Sequence, residues 1–298
     1  TMADKARRIK NYYRNITEDD IYLPPYSNFR QYRFFIWEPK SQRIVVKVLK
    51  DNVKTKKTLL SHLRRLAPIH VYYTTGQWLN PQGIGPDPES RKGLAKMRKK
   101  GWCAKESKKV TLKRYHNTML KRDLYFDIDY DNKDYHQGIQ MASELITAIE
   151  EHIHCYEFKN IKQQIVFSGG KGFHLIVNGY YDEAFARPSK SYLFTVLRRE
   201  AIKEGREKET LLRYSCNHED KNADIERHYK SVVKILQHET NLLLDWMVTY
   251  DNRRIIRLPG SVHGKSMRVC KEINFSDDNV IKNRAGRPVG YIPADPIP

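Results

Sequence analysis

The sequence predicts an α/β fold of the α+β kind, a mixed β-sheet flanked by helices and carrying a helical insertion. Three observations predict it. Between residues 123 and 177 an acidic strand, an amphipathic helix and two further strands follow one another, the first three at the spacing of a βαβ unit. β-rich runs recur on both sides, at residues 32–37, 43–48 and 69–73 before the unit and around 254–258 and 268–270 after it. From about Ser189 to Trp246 the chain is highly charged, with Val232, Val233, Leu236 and Leu243 spaced to line one side of a helix.

Taken in order, residues 4–14 predict a short basic helix, and Leu23-Pro24-Pro25 breaks the chain before two β-rich runs suited to pairing as a hairpin. Thr55 to Leu66 predicts a helix, because Leu59, Leu60, Leu63 and Leu66 recur at helical spacing, and a strand follows at 69–73. Residues 76–118 are rich in Gly, Pro and Lys and predict a basic loop region with one helix, either a solvated linker or a template contact. The centre predicts a strand at 123–129, a helix at 135–154 and a strand at 163–167. The turn Ser168-Gly169-Gly170-Lys171-Gly172 then leads to a strand at 173–177. Residues 185–243 read as a helical insertion, and residues 288–298, rich in Pro and Gly, offer no obvious closing element. No internal repeat divides residues 1–298, and the chain is read as a single core.

The 298 residues can bury a sizeable core. With 54 Lys and Arg against 35 Asp and Glu the formal net charge is +19, which favours a polyanionic partner, nucleic acid first. Cys103, Cys155, Cys216 and Cys270 form no close pair, so neither a disulfide framework nor a zinc ribbon is expected, and the expected setting is reducing and intracellular: cytoplasm, nucleoid or nucleus. No apolar run approaches the roughly 20 residues that span a bilayer, so no membrane association is expected.

The chemistry concentrates in three places. Asp127 and Asp129 stand two apart on an apolar strand, so both carboxylates project from one face, where they need cations. Mg²⁺ suits such a pair, although acidic pairs at strand ends also cap turns or pair with Lys and Arg. Asp131 continues the alternation, but Asn132 and Lys133 mark a turn and make it a solvated capping residue. Ser168 to His174 offers backbone N–H groups, a hydroxyl, Lys171 and an imidazole, a set suited to a triphosphate and equally compatible with an ordinary glycine-rich hairpin. It is not a P-loop, since no Ser or Thr follows Lys171 and a strand comes next. Between Asp245 and Lys265, isolated charges sit among apolar residues. Asp245 could complete a metal cage while Arg257, His263 and Lys265 neutralise phosphate; Arg253 and Arg254 read as surface or structural pairs, and Asp251 as a turn residue.

These residues resemble the catalytic small subunit of archaeal and eukaryotic primases, in the archaeo-eukaryotic primase superfamily. The resemblance rests on Asp127-Ile128-Asp129, Ser168 to His174 and, most specifically, Asp245, Val248-Thr249, Arg254-Ile255-Ile256-Arg257 and Pro259-Gly260-Ser261-Val262-His263-Gly264-Lys265, in the family's order. It implies that Asp127, Asp129 and Asp245 hold two catalytic ions, Mg²⁺ or Mn²⁺. It further implies that Ser168, Lys171, His174, Arg257 and His263 bind the incoming nucleotide, with Lys265 and Arg30 as helpers. The implied reaction joins nucleoside triphosphates on a single-stranded DNA template, with release of pyrophosphate. One departure is visible: residues 132–144 contain no cysteine and only His136, so the family's zinc knuckle is absent and no structural zinc is expected. The resemblance also implies a primase large subunit, or a fused C-terminal helical domain, as partner. Two other readings use the same residues: a primase-polymerase that mainly extends or repairs, and, from a different class, an inactive nucleic-acid-binding replication module. A metal-dependent nuclease would also use the acids but has no need of a triphosphate pocket.

Overall fold

The N-terminal helix α1 (Met2–Asn15) begins where the Thr1 hydroxyl accepts the Asp4 N–H, and it turns Ile9 and Tyr13 into the core. Helix α2 (Lys56–Leu66) is capped in the same way by Thr55 and stops at Ala67, whose backbone is left-handed. Its buried Leu59, Leu60 and Leu63 each contribute about 1.5–3 kcal/mol of hydrophobic stabilisation. The computed structural model describes residues 1–49, 52–78, 81, 119–129, 134–153, 161–181, 221–242, 244–251, 254–274 and 276–298.

The first sheet is antiparallel, in the order β2 (Arg43–Val48), β1 (Tyr32–Glu38), β3 (His70–Thr74), β9 (Ile255–Arg257). Tyr32 and Phe34 of β1 and Val71 and Tyr73 of β3 are buried in one core with α1 and α2 residues, as period-2 alternation requires. The opposite face carries Arg33, Phe35 and Trp37, registered against Val48, Val46 and Ile44, and then His70, Tyr72 and Arg257. Ile44, Val46 and Val48 are exposed there.

A small pair of strands, β4 (Gly76–Trp78) and β5 (Met119–Arg122), leads into the second sheet. The expectation of loop from residue 76 is corrected at its start: Gly76 to Trp78 pair with β5, and Trp78 is fully buried. The second sheet runs β12 (Lys271–Ile273), β7 (Lys162–Phe167), β8 (Phe173–Asn178), β6 (Leu124–Ile128), with neighbours antiparallel. Helix α3 (Tyr135–His152), capped by Asp134, joins β6 to β7. β6 and β7 are therefore parallel, as the βαβ spacing predicts, but β8 lies between them, so the unit is split. Every residue of β8 is buried because the sheet is covered on both faces. Leu124, Phe126, Phe173 and Leu175 join one core with α3, while Tyr125, Val166 and Ile176 join the core under the first sheet.

Helix α4 (Lys221–Glu239) buries Ile225, Tyr229, Val232 and Leu236 in the α3 core, so this part of the expected insertion is helical and packed. The short helix α5 (Met247–Tyr250) then packs on β6 and α4. Strands β10 (Val262–His263) and β11 (Arg268–Val269) form a small hairpin. The tail closes after all: β13 (Val280–Lys282) pairs with β14 (Pro288–Tyr291), and the Tyr291 ring meets Phe167 and Phe173. Pro288 is tolerated because a two-stranded ribbon has free edges. The remainder of 79–118 apart from Pro81, together with 182–220, Asp131, Arg253, Cys103, Cys155 and Cys216, lies outside the described residues.

Candidate active site

Asp127 lies on the same side of β6 as Tyr125, which joins the core beneath the first sheet. Its carboxylate therefore opens into the seam between the two sheets. Register places it opposite His174, and His174 Nε2 lies 3.7 Å from Asp127 Oδ1. Arg254, arriving ahead of β9 from the other sheet, puts a guanidinium nitrogen 3.1 Å from Asp127 Oδ2. Asp129, one residue past β6 and half exposed, meets Lys171 Nζ at 3.5 Å.

The two carboxylates are uncomfortable. Burial pushes the Asp127 pKa up, and the Asp245 charge adds to this against the opposing pull of Arg254 and Lys171. Burial also raises Asp129, reinforced by the Asp127 charge. Asp245 itself is exposed, just ahead of α5. It is brought within electrostatic reach of Asp127 but not into a preformed cage: among the described residues no three His, Cys, Asp or Glu groups stand close enough to hold a metal ion.

The β7–β8 turn is built around Ser168. Its hydroxyl accepts the N–H groups of Gly170 and Gly172, at 3.3 and 3.4 Å, and its own N–H donates to the Gly172 carbonyl at 3.0 Å. Ser168 thus shapes the turn that presents Lys171. Gly169 has φ +75°, where glycine is free to go. A Cβ on Gly172 would lie 2.5 Å from the Ile128 carbonyl and 2.6 Å from Asp129 Oδ1. Gly172→Ala is therefore expected to displace Asp129 and to break its 3.5 Å contact with Lys171, as a crystal structure of the variant would show.

Across the seam, the buried Arg257 donates to His70 Nδ1 and to the Tyr72 hydroxyl, both at 2.7 Å, and stacks 4.7 Å over the Tyr72 ring. His263 Nδ1 accepts the Ser266 N–H at 3.2 Å, and Ser266 Oγ donates to the Gly169 carbonyl. A neutral His263 therefore carries its proton on Nε2, the atom that a Cβ on Gly170 would approach to 3.2 Å. The loop beneath His263 is held by α1. Tyr13 accepts the Val262 N–H, Tyr12 donates to the Gly260 carbonyl, and Lys5 reaches the carbonyls of Gly264 and Lys265. Lys265 is exposed at the rim.

A family model described as DNA primase small subunit matches residues 126–275, half of the chain, a span that holds Asp127, Asp129, the Ser168 turn, His174, Arg254, Arg257 and His263 but not His70 or Tyr72. The chain belongs to the DNA primase small subunit family. The relatives include the DNA primase small subunit PriS of Saccharolobus islandicus, 22% identical over 287 residues that cover 92% of this chain and 78% of that protein. The PriS proteins of Archaeoglobus fulgidus and Thermoplasma acidophilum are 20% and 24% identical, covering 93% and 92% of this chain and 82% and 80% of theirs. Among solved structures, the polymerase domain of Mycobacterium tuberculosis ligase D in complex with DNA aligns with a TM-score of 0.44 at 11% identity, over 92% of this chain and 81% of that one. As a primase small subunit the chain is a nucleotidyltransferase.

Of the residues singled out from the primase sequence, Asp127, Asp129, Ser168, Lys171, His174, Arg257 and His263 converge on the seam. Arg30 does not. It is fully buried at the other end of β6, donating to the Pro25, Thr74 and Thr75 carbonyls and ion-paired with Asp123 at 2.8 Å. Arg254, read as a structural or surface cation, turns out to sit on the first carboxylate. Two contributors were missed: His70, whose ring lies 5.2 Å from that of His263, and Tyr72. Only their alternation on β3 toward the same face as Arg257 hinted at them.

The primase donors fit divalent cations of the Mg²⁺ or Mn²⁺ class. Asp127 and Asp129 are oxygen ligands on one face, and raised carboxylate pKa values mark a place where added positive charge is favoured. The imidazoles are the reverse case. Burial, aided by Arg257, lowers His174 and His70 to about 3 and His263 to about 4, and burial alone takes His228 to about 3. An unfolded imidazole titrates near 6.5. Below that value the unfolded chain binds protons that the folded one refuses, so the contribution of these histidines is complete above pH 6.5 and is lost as pH falls toward 4. Asp127 and Asp129, raised instead, act in the opposite sense at lower pH. The melting temperature is expected to fall by several degrees from pH 7 to pH 5 in calorimetric scans; a flat profile over that window would contradict the neutral histidines.

Proposed function

We propose that this chain is the catalytic subunit of a DNA primase, joining nucleoside triphosphates on a single-stranded DNA template by a two-metal reaction. The observation that carries the proposal is the pairing of Asp127 against His174, which sets acid and phosphate-binding groups on adjacent strands of one seam. Asp127 and Asp129, with Asp245 swinging in, would hold the cations, displacing Arg254 and Lys171 from the carboxylates. Bound there, the ions supply positive charge to the triphosphate and lower the pKa of the primer 3′-hydroxyl. Arg257, fixed in orientation by His70 and Tyr72, presents its charge to phosphate oxygens, and His263 offers its Nε2–H. Lys171 and Lys265 add mobile charge at the rim. The 3′-oxygen bonds to the α-phosphorus, pyrophosphate departs with the electrons of the broken P–O bond, and the hydroxyl proton passes to solvent.

The open face of the first sheet suits the template. Phe35 lies 5.3 Å from Tyr72, which carries Arg257, and Trp37 and Arg33 continue the face toward the exposed β2 edge. Alternating rings and cations are what a single strand meets on a stacking platform. Phe35→Ala and Trp37→Ala are each expected to weaken binding of a single-stranded oligonucleotide about 10-fold by fluorescence anisotropy, with binding of both wild type and variants falling steeply with salt. A helical large subunit remains the expected partner for the family-variable region between β8 and α5. Calorimetry of nucleoside triphosphate with and without Mg²⁺ tests the central reading: metal-dependent binding that Arg257→Ala weakens supports it, and metal-independent binding indifferent to Arg257 overturns it.

A further inference from the structure

The tail hairpin β13–β14 ends in a tip that takes no part in the core. Residues 281–287, Ile-Lys-Asn-Arg-Ala-Gly-Arg, are all exposed. Asn283 fixes the turn: its Oδ1 accepts the N–H groups of Ala285 and Arg287, both at 3.0 Å. Its own N–H donates to the Arg287 carbonyl at 3.0 Å, and its carbonyl accepts the Gly286 N–H at 2.9 Å. Gly286 takes φ +76° in open space, with nothing within 4 Å of the place a Cβ would occupy. The base of the hairpin is the reverse, since Val280, Pro288 and Tyr291 are buried and β14 packs on α3. A stiff turn is thus carried on a base anchored in the core.

The tip carries Lys282, Arg284 and Arg287 and no acid. Among the described residues none of these three side chains has an ion-pair or hydrogen-bond partner. The acids just ahead of β13 do not neutralise them, for Asp277 is held at 3.5 Å by Lys271. Crowded like charges repel one another, so the cations contribute nothing to a turn that Asn283 already holds. The hairpin is also planted beside the phosphate-binding turn. The Tyr291 ring lies 5.4 Å from Phe167 and 5.3 Å from Phe173, the residues on either side of Ser168–Gly172, and the Tyr291 N–H donates to His136 Nδ1 at 3.2 Å. Phe173 is in register with Ile128, next to Asp129. Arg284 is four residues beyond Val280, the register partner of Tyr291, and so lies within roughly 13 Å of that anchor.

We infer that the β13–β14 tip grips the sugar–phosphate backbone of the paired template–product duplex, with Lys282, Arg284 and Arg287 set against phosphates. The inference rests on the primase reading, which supplies such a duplex beside the seam. The chemistry of the tip selects a duplex over an unpaired strand. It offers cations without a single ring, and contacts of that kind position a nucleic acid without stacking on its bases. An unpaired strand is held by rings and cations together, which the first sheet provides through Phe35, Trp37 and Arg33. In a duplex the bases already stack on one another and the outer surface is a dense array of phosphate, so charge on a rigid ribbon suffices. The two surfaces therefore divide the substrate, the sheet taking the unpaired template and the hairpin the paired product.

The test uses the full chain in EDTA, so that nothing depends on metal in the seam. Fluorescence anisotropy compares a primer–template with about 10 paired bases against the unpaired template strand over a range of salt. The decisive variant is Arg284→Ala with Arg287→Ala, whose side chains are exposed and unpartnered, so the melting temperature should not move. Lys10→Ala with Lys57→Ala removes the same charge from exposed positions on α1 and α2 and serves as control. The inference expects the tip variant to lose about 10-fold or more in duplex affinity, and the slope of log affinity against log salt to drop by about 2. Arg284→Lys with Arg287→Lys should restore both, since phosphate accepts a point charge, and the control should stay near wild type. Binding of the unpaired strand should change by less than about threefold. Duplex affinity and slope indifferent to the tip variant, an equal loss in the control, or a wild-type chain that does not bind the duplex overturns the inference. An equal loss on the unpaired strand also overturns it, by making the tip part of the template platform. The primase reading fails separately, through metal-dependent triphosphate binding, which the tip variant should leave at the wild-type value.

Discussion

Asp127→Asn is expected to lower primer synthesis on the order of 10³-fold or more while leaving the melting temperature equal or higher. Asparagine keeps an oxygen for the Arg254 guanidinium, now 3.1 Å from the carboxylate, and differs from aspartate only in charge and in one donor. The lost charge is the one needed to hold the cations, and loss of such electrostatic stabilisation at a reacting phosphate is worth about 4 kcal/mol. The stability arm runs the other way, because burial and the neighbouring Asp245 push the Asp127 pKa up, so its ionised form is a burden on the folded state. A seam that trades stability for function should become more stable when the charge is removed. Steady-state incorporation and a thermal melt on the same preparation check both arms. Activity within tenfold of wild type would remove Asp127 from the reaction, and a large drop in melting temperature would make its role structural.

Arg30→Ala is expected to be the most destabilising single change in the N-terminal half, costing about 3–5 kcal/mol and lowering the melting temperature on the order of 10 °C. The guanidinium has no exposure, and its loss strands the Asp123 carboxylate and removes a donor from the Pro25, Thr74 and Thr75 carbonyls. The paired replacement Arg30→Met with Asp123→Leu should recover much of that loss, because an apolar pair leaves no charge uncompensated. Chemical denaturation of the three variants measures this directly. If Arg30→Ala instead folds normally and raises KM for the nucleotide, the guanidinium belongs to the site and not to the core.

The site was legible in the sequence to the extent that its residues lie in local runs. Asp127 and Asp129 share a strand, Ser168 to Gly172 share a turn, and Arg257 and His263 flank one short loop, so spacing marked them as candidates while the family resemblance supplied their expected roles. The split of the βαβ unit was not legible, because apolar strands carry no mark of which neighbour they choose and β8 is buried on both faces. Arg30 misled because its neighbourhood is assembled from residues 25, 74, 75 and 123, which are distant in sequence. Arg254 was legible only as a cation needing a partner; that the partner is Asp127 depends on β9 joining β3, a contact between residues 74 and 255. His70 and Tyr72 were missed for the same reason. The β13–β14 hairpin was missed because Pro and Gly obscured its short strands.

The measurement that tests the account most directly is incubation of the chain with labelled nucleoside triphosphates, an unprimed single-stranded DNA template and Mg²⁺ or Mn²⁺, with Asp127→Asn alongside. The account predicts short template-dependent products from the wild-type chain and none from the variant. Products that persist undiminished in the variant, or a wild-type chain that neither synthesises nor binds nucleotide in the presence of metal, would contradict it.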